Sequence, residues 1–199
     1  MAQRFLKSNI LMKSLDHFGL LAPFYEKFIP PRNSEILLDL LSLTEKGILL
    51  DAGGGTGRVS RSMIGFTGQI IIADLSIKML RQINKTDNLR IVNSVVECLP
   101  FSSNLFDRII MVDALHHVIS QKDTALELFR VLKPSGKIII EEPDYRKVIV
   151  KLLALAEKIT LMRSHFLDPE QIEKLFNFNH SRVSIRENGF NCYIIIDKE

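Results

Sequence analysis

The residues best suited to chemistry cluster after a short apolar run. Ile48-Leu49-Leu50 leads into Asp51-Ala52-Gly53-Gly54-Gly55-Thr56-Gly57. Glycines in that position allow positive φ and let a ligand approach the backbone closely. The spacing is informative about the ligand. A dinucleotide fingerprint needs G-x-G-x-x-G, and the required sixth position is Arg58 or Ser60, depending on the starting glycine. A phosphate loop needs Gly-Lys-Ser/Thr, which does not follow. The pattern present is D-x-G-x-G-x-G. Further on, Gln69-Ile70-Ile71-Ile72-Ala73 ends at Asp74. A carboxylate at that strand end can accept hydrogen bonds from two ribose hydroxyls. His116 and His117 follow a later apolar run, and histidine's ordinary pKa suits proton transfer near neutrality. His117 is the first candidate base and His116 the second.

The elements that must hold these residues alternate in type. Strands are predicted at 48–50, 69–73, 89–92, 108–112 and 137–140, the last after the turn Lys133-Pro134-Ser135-Gly136. Helices are predicted at 58–64, from a Ser76 cap to about Ile83, and over 124–132. Continuous Ile/Val/Leu runs suit strands covered on both faces, so a mostly parallel sheet with helices on both sides is expected. Candidate ligand-binding groups then gather at the carboxyl ends of the strands. Glu141, Glu142 and Asp144 end the fifth strand and are expected on a solvated rim.

The flanks read differently. Residues 1–45 are predicted to be helical, with a break at Pro30-Pro31 and Ser34 capping the second helix. Asp168-Pro169-Glu170-Gln171 has the composition of a helix start. Val183–Glu187 and Phe190–Ile196 flank Asn188-Gly189, which reads as the turn of an antiparallel hairpin. Between Tyr145 and Phe166, Val148, Ile149, Leu152, Leu153, Leu155, Ala156, Ile159 and Met162 make a broad apolar helical face. A core-packing helix, or a lid over an apolar acceptor pocket, is favoured over a membrane-surface helix.

Composition excludes several classes. With 199 residues, 46% hydrophobic and 25% charged, the chain suits one globular domain spanning 1–199. The net charge of +3 does not point to nucleic acid. Cys98 and Cys192 are too few for a disulfide scaffold or a structural zinc site, and His17, His165 and His180 lack metal spacing. No metal is expected. Lys7, Lys13 and Asp16 interrupt any signal-length apolar run, and no stretch approaches the ~18 to 20 apolar residues of a membrane span. A cytoplasmic location is expected.

At this point the chain resembles a known family, the class I S-adenosylmethionine-dependent methyltransferases, in particular the methyltransferase type 11 or quinone-methyltransferase-like group. The resemblance rests on Leu50–Gly57, Ala73-Asp74-Leu75-Ser76 with Met79-Leu80, and Glu97-Cys98-Leu99-Pro100-Phe101. It continues through Phe106-Asp107, Asp113-Ala114-Leu115-His116-His117-Val118 and Arg130–Gly136. It implies a Rossmann-like α/β sheet, mostly parallel with an antiparallel C-terminal hairpin. The implied parts are an N-terminal helical cap (1–45), a cofactor-binding core (47–142) and a lid segment plus hairpin (145–199). It also implies S-adenosylmethionine as cofactor and S-adenosylhomocysteine as product. By resemblance, Asp51 and the backbone of Gly53, Gly55 and Gly57 hold the methionine end, with Asp113 near its amino group and Tyr25 closing over it. Asp74 takes the ribose. Leu75 and Met79 lie against the adenine, and Val96 and Glu97 lie at its edge. The family usually carries an acidic residue where this chain has Val95.

The expected reaction is in-line methyl transfer to a small, rather apolar acceptor by a monomer or homodimer, without nucleic acid or a membrane span. The Glu141-Glu142-Pro143-Asp144 run departs from the Leu-Glu-Phe-Ser run usual in quinone enzymes, so the acceptor is not named. The alternatives are an S-adenosylmethionine-binding regulatory protein without catalysis, and an RNA or protein methyltransferase.

Overall fold

The computed structural model describes residues 34–84, 88–151 and 164–199. Seven strands form one sheet in the order β3-β2-β1-β4-β5-β7-β6. They are β1 (Ile48–Ala52), β2 (Gln69–Asp74), β3 (Leu89–Asn93), β4 (Phe106–Val112), β5 (Leu132–Pro143), β6 (Ser181–Asn188) and β7 (Asn191–Lys198). The first five pair in parallel. β7 runs antiparallel to β5, and β6 antiparallel to β7.

Strand alternation divides the core into two layers. Leu50, Ala52, Ile109, Met111, Ile138 and Ile140 point to one face and pack with α4 (Gln121–Val131) and α5 (Pro169–Leu175). Leu49, Ile70, Ile72, Ile110 and Ile139 point to the other. They pack with α1 (Glu35–Leu41), α2 (Arg58–Arg61) and α3 (Ile77–Leu80). Both faces are apolar because both are covered, and burying each such side chain stabilises by about 1.5–3 kcal/mol. β1 and β4 are neighbours although β2 and β3 intervene in sequence. The strand order reverses there, so the crevice at their carboxyl ends is where such sheets bind ligands.

Local departures from expectation have local causes. The α2 and α3 helices stop at Arg61 and Leu80. Their last turns tighten into bonds of the three-residue type, such as Met63 N–H to Ser60 O (3.0 Å) and Ile83 N–H to Leu80 O (3.2 Å). Met63 and Ile83 stay buried all the same. Ser34 sits at the N-cap of α1 but its side chain makes no capping bond. Residues 133–136 lie inside β5 as a bulge: Leu132 pairs with Phe106, and Lys137 already pairs with Arg108. The hairpin turn is displaced by one residue from the Asn188-Gly189 reading. Asn188 pairs with Asn191, which leaves Gly189 (φ 61°) and Phe190 as the loop. Glycine first is the arrangement a type II′ turn favours. The capping box of α5 forms as its composition implies, with Asp168 accepting from Gln171 N–H at 2.8 Å.

Most of the 1–45 cap, Tyr25 included, and residues 152–163 of the lid segment lie outside the described residues. Among the described residues, no helix is long and apolar enough to cross a membrane.

Candidate functional site

The loop after β1 is shaped by its glycines. Gly53 N–H donates to Ala73 O (2.7 Å), which fastens the loop to β2. Gly53, Gly55 and Gly57 hold φ of 73°, 56° and 72°, the left-handed region that other residues enter with strain. A Cβ at Gly54 would lie 2.6 Å from the Asp51 carboxylate, whereas a Cβ at Gly55 would meet nothing within 4 Å. Among the described residues, nothing covers the Cβ side of Gly55, so the backbone there can be approached closely.

Two carboxylates flank this loop. Asp51 is buried and accepts from Ser60 Oγ at 2.6 Å. Burial pushes its carboxyl up to about 6. The Ser60 bond opposes the rise, Asp74 adds to it, and Arg58 opposes it. Asp74 ends β2. Its Oδ2 accepts from Gly55 N–H (2.9 Å) and its Oδ1 from Ser76 N–H (2.7 Å). Asn93 braces the same bend by donating to Asp74 O (3.0 Å) and Leu75 O (2.7 Å). Leu75 is partly buried and Met79 is buried in the helix that follows. Ser60 and Asn93 were not singled out in the sequence. A hydroxyl nine positions after Asp51, in the first turn of α2, was the available signal for Ser60.

Val95 and Val96 are buried. Glu97 is buried as well, and its Oε1 accepts from Ile119 N–H (2.8 Å) and Ser120 N–H (3.3 Å). Its carboxylate thus ties the segment after β3 to the start of α4.

The ends of β4 and β5 make a second centre. Asp113 adopts φ 50°, and its N–H donates to Glu141 O at 2.9 Å. Its Oδ2 lies 3.9 Å from Arg58 Nη2. A Cβ on Gly53 would fall 2.8 Å from Ala114 Cβ, so the glycine loop and the β4 loop touch. Behind them Glu142 Oε1 accepts from Ala114 N–H (3.0 Å) and Leu115 N–H (2.7 Å), and Oε2 is bonded to His116 Nδ1. The His116 ring stacks on Phe166 with centroids 4.3 Å apart, and Phe166 stacks in turn on Tyr145 at 5.8 Å.

One expectation is corrected here. Glu141, Glu142 and Asp144 are not a solvated rim: they are 1%, 2% and 0% exposed. The cause is β7, which pairs with β5 as far as Pro143 and covers the strand end. Each carboxylate has partners inside: Asn191 for Glu141, the β4 loop for Glu142, and Arg146 with Lys147 for Asp144. His117 is half-buried in the short turn of helix that follows β4. Burial, together with the neighbouring His116 ring 3.9 Å away, pushes its pKa down to about 3. It is neutral across the physiological range, and its Nδ1 lies 3.3 Å from Ser164 Oγ. Among the described residues, no group of three or more His, Cys, Asp and Glu could hold a metal ion.

A glycine loop after β1, a strand-end carboxylate bonded to it and a reversed C-terminal hairpin make a Rossmann-like fold with an antiparallel edge. Residues 50–140 match the family described as "Methyltransferase domain". The chain is 35% identical over 118 residues to the ubiquinone/menaquinone biosynthesis C-methyltransferase UbiE of Salmonella arizonae. That alignment covers 54% of this chain and 46% of the relative, so the chain matches about half the length of these curated relatives. Among solved structures, a chain of the complex between the Haloferax volcanii Trm112 methyltransferase activator and a methyltransferase superposes with a TM-score of 0.80. It is 15% identical and covers 94% of this chain and 99% of that one. An S-adenosylmethionine-dependent methyltransferase from Thermotoga maritima gives 0.74 at 19% identity, covering 92% and 98%. At such identities these two show the fold alone. Residues 50–140 match the methyltransferase domain family, and the seven-stranded sheet around them has the fold of the methyltransferase structures it superposes on.

Proposed function

We propose that the chain transfers a methyl group from S-adenosylmethionine to a small, apolar acceptor, as a monomer or homodimer in the cytoplasm. The supporting observation is the Gly55–Asp74 contact at the crevice beside β1. The backbone N–H of a glycine whose Cβ side nothing covers among the described residues is bonded to the carboxylate that ends β2. A carboxylate offers about four acceptor sites, so bonding to the loop does not by itself close it to ribose hydroxyls.

In this reading Asp74 holds the ribose, and Leu75 and Met79 pack against the adenine. Val96 and Glu97 border the adenine, with Val95 supplying apolar packing where an acid is usual. Asp51, Asp113 and the backbone of Gly53, Gly55 and Gly57 hold the methionine end, with Tyr25 over it. When bound, the cofactor supplies a methyl group already activated on a sulfonium. The residues around it need only align the acceptor and exclude water. A neutral His117 suits a hydrogen-bond partner of the acceptor better than a proton store, and His116, bonded to Glu142, orients it. C-methylation in quinone biosynthesis belongs to the Salmonella relative by its name. An apolar acceptor is the part of it that carries over, because Glu141-Glu142-Pro143-Asp144 departs from the quinone enzymes' usual run.

Isothermal calorimetry with S-adenosylmethionine and S-adenosylhomocysteine tests the cofactor. The wild type should bind in the micromolar range, and Asp74→Ala should bind at least about tenfold more weakly (~1.4 kcal/mol). A wild type that binds neither ligand would end this reading. Binding without turnover on any acceptor would favour a regulatory protein.

A further inference from the structure

Asn188 is the one asparagine of the chain that is followed by glycine. It ends β6 and faces Asn191 in the hairpin's last rung, and Gly189 and Phe190 make the loop beyond it. Asn188, Gly189 and Phe190 are all exposed. Gly189 holds φ 61°, and nothing lies within 4 Å of the place where its Cβ would be. Among the described residues, no hydrogen bond holds the Asn188 side-chain amide or the Gly189 N–H. The amide carbon and the backbone nitrogen after it therefore meet solvent and each other, with no side chain at residue 189 to crowd them. Asn177 and Asn179 are exposed too, but Phe178 and His180 follow them and carry that crowding. Bringing the Asn188 amide onto the Gly189 nitrogen opens only the terminal rung of the ladder, where local opening is easiest.

We propose that Asn188 is a site of spontaneous covalent modification, which converts it to a mixture of isoaspartate and aspartate. Gly189 N gives its proton to hydroxide and attacks Asn188 Cγ. The Cγ–Nδ2 bond breaks, ammonia leaves with a proton from water, and a cyclic imide remains. Water then opens the ring. Cleavage at the backbone carbonyl leaves the chain running through Cγ, as isoaspartate, and cleavage at Cγ leaves aspartate. Nothing is oxidised or reduced, and water is the only co-reactant. The neighbours give the site its consequence. Glu187, just before it, bonds Arg146 at 2.5 Å, and Phe190 O, just after it, accepts from Asp144 N–H at 2.8 Å. Isoaspartate adds a methylene to the backbone between these two ties and a new carboxylate beside them. The hairpin tip then no longer matches the end of β5, and the modification slowly loosens the edge that encloses Asp144.

The test incubates the folded protein at mildly alkaline pH beside a guanidinium-unfolded sample. It follows ammonia release and the tryptic peptide 187–198 by mass spectrometry. In the folded protein Asn188 should become isoaspartate and aspartate in step with ammonia release, while Asn191 in the same peptide, Asn177 and Asn179 stay amides. Asn188→Gln must close a six-membered ring and should release ammonia at least about tenfold more slowly. Asn188 is exposed, so this variant keeps the core intact. In the modified fraction, hydrogen exchange at Asp144 N–H should quicken. An Asn188 that reacts in guanidinium but stays an amide in the folded protein would overturn the site. Equal ammonia release from the wild type and Asn188→Gln would overturn it as well. A modified fraction whose Asp144 amide exchanges at the original rate would overturn the loosening.

Discussion

The carboxyl-terminal edge of the sheet has two centres, and they use their carboxylates differently. At β1 and β2, Asp74 takes its donors from the loop backbone beside it, Gly55 and Ser76, and remains partly exposed. At β4 and β5, Glu142 is sealed from water and gives one oxygen to two backbone N–H groups and the other to His116. The first arrangement shapes a surface and keeps a charged group at it. The second closes a carboxylate inside the protein, where its work is to hold the β4 loop that carries Asp113. Acid residues at strand ends of one sheet thus divide into a partly exposed group and a buried scaffold group, and the sheet's antiparallel edge makes the division.

The largest expected effect breaks the scaffold side. Glu142→Ala leaves His116 and two backbone donors without their acceptor, and removing one partner of a buried pair costs about 3–5 kcal/mol. Asp74→Ala should cost only about 1 kcal/mol, because its donors can turn to water. Urea unfolding of both variants measures the contrast, and similar midpoints would erase it.

Asp51→Asn sharpens the β1 and β2 side. The Asp51 carboxyl is raised from 3.8 to about 6 in the folded protein. The stability contributed by the protonated form is complete below about pH 4 and is lost as pH rises through about 6. The asparagine variant does not titrate. Its advantage over the wild type should therefore grow from acid to neutral pH, to at most about 3 kcal/mol. Its affinity for S-adenosylmethionine should fall at the same time. Melting temperatures across that range show the trend, and a difference independent of pH would contradict it.

The smallest effect concerns His117. With its pKa held at about 3, its ring resonances should show no titration between about pH 5 and 8 in NMR spectra. A midpoint near neutrality would return it to the role of general base.

Much of this could be read along the chain. The D-x-G-x-G-x-G loop, the Asp74 strand end, the parallel order of the first five strands and the reversed hairpin all depend on short-range rules. Those rules are the φ that only glycine accepts without strain, the run length of a buried strand, and the composition of a capping box. The hairpin turn was placed one residue early because its loop follows from which residues pair, and Asn188 pairs with Asn191. The buried state of Glu141 and Glu142 was not legible, since what covers them, β7, comes from about fifty positions further along the chain.

By itself, then, the sequence determined the resemblance to a methyltransferase domain, the shape of its glycine loop and the strand ends that bear candidate groups. The tertiary structure decided which of those groups are charged and available. Burial and pairing are set by what comes alongside from far along the chain. β7 closes over β5, His116 meets Glu142 across 26 positions, and Arg58 is left facing Asp113 at a distance that neither residue's neighbours specify.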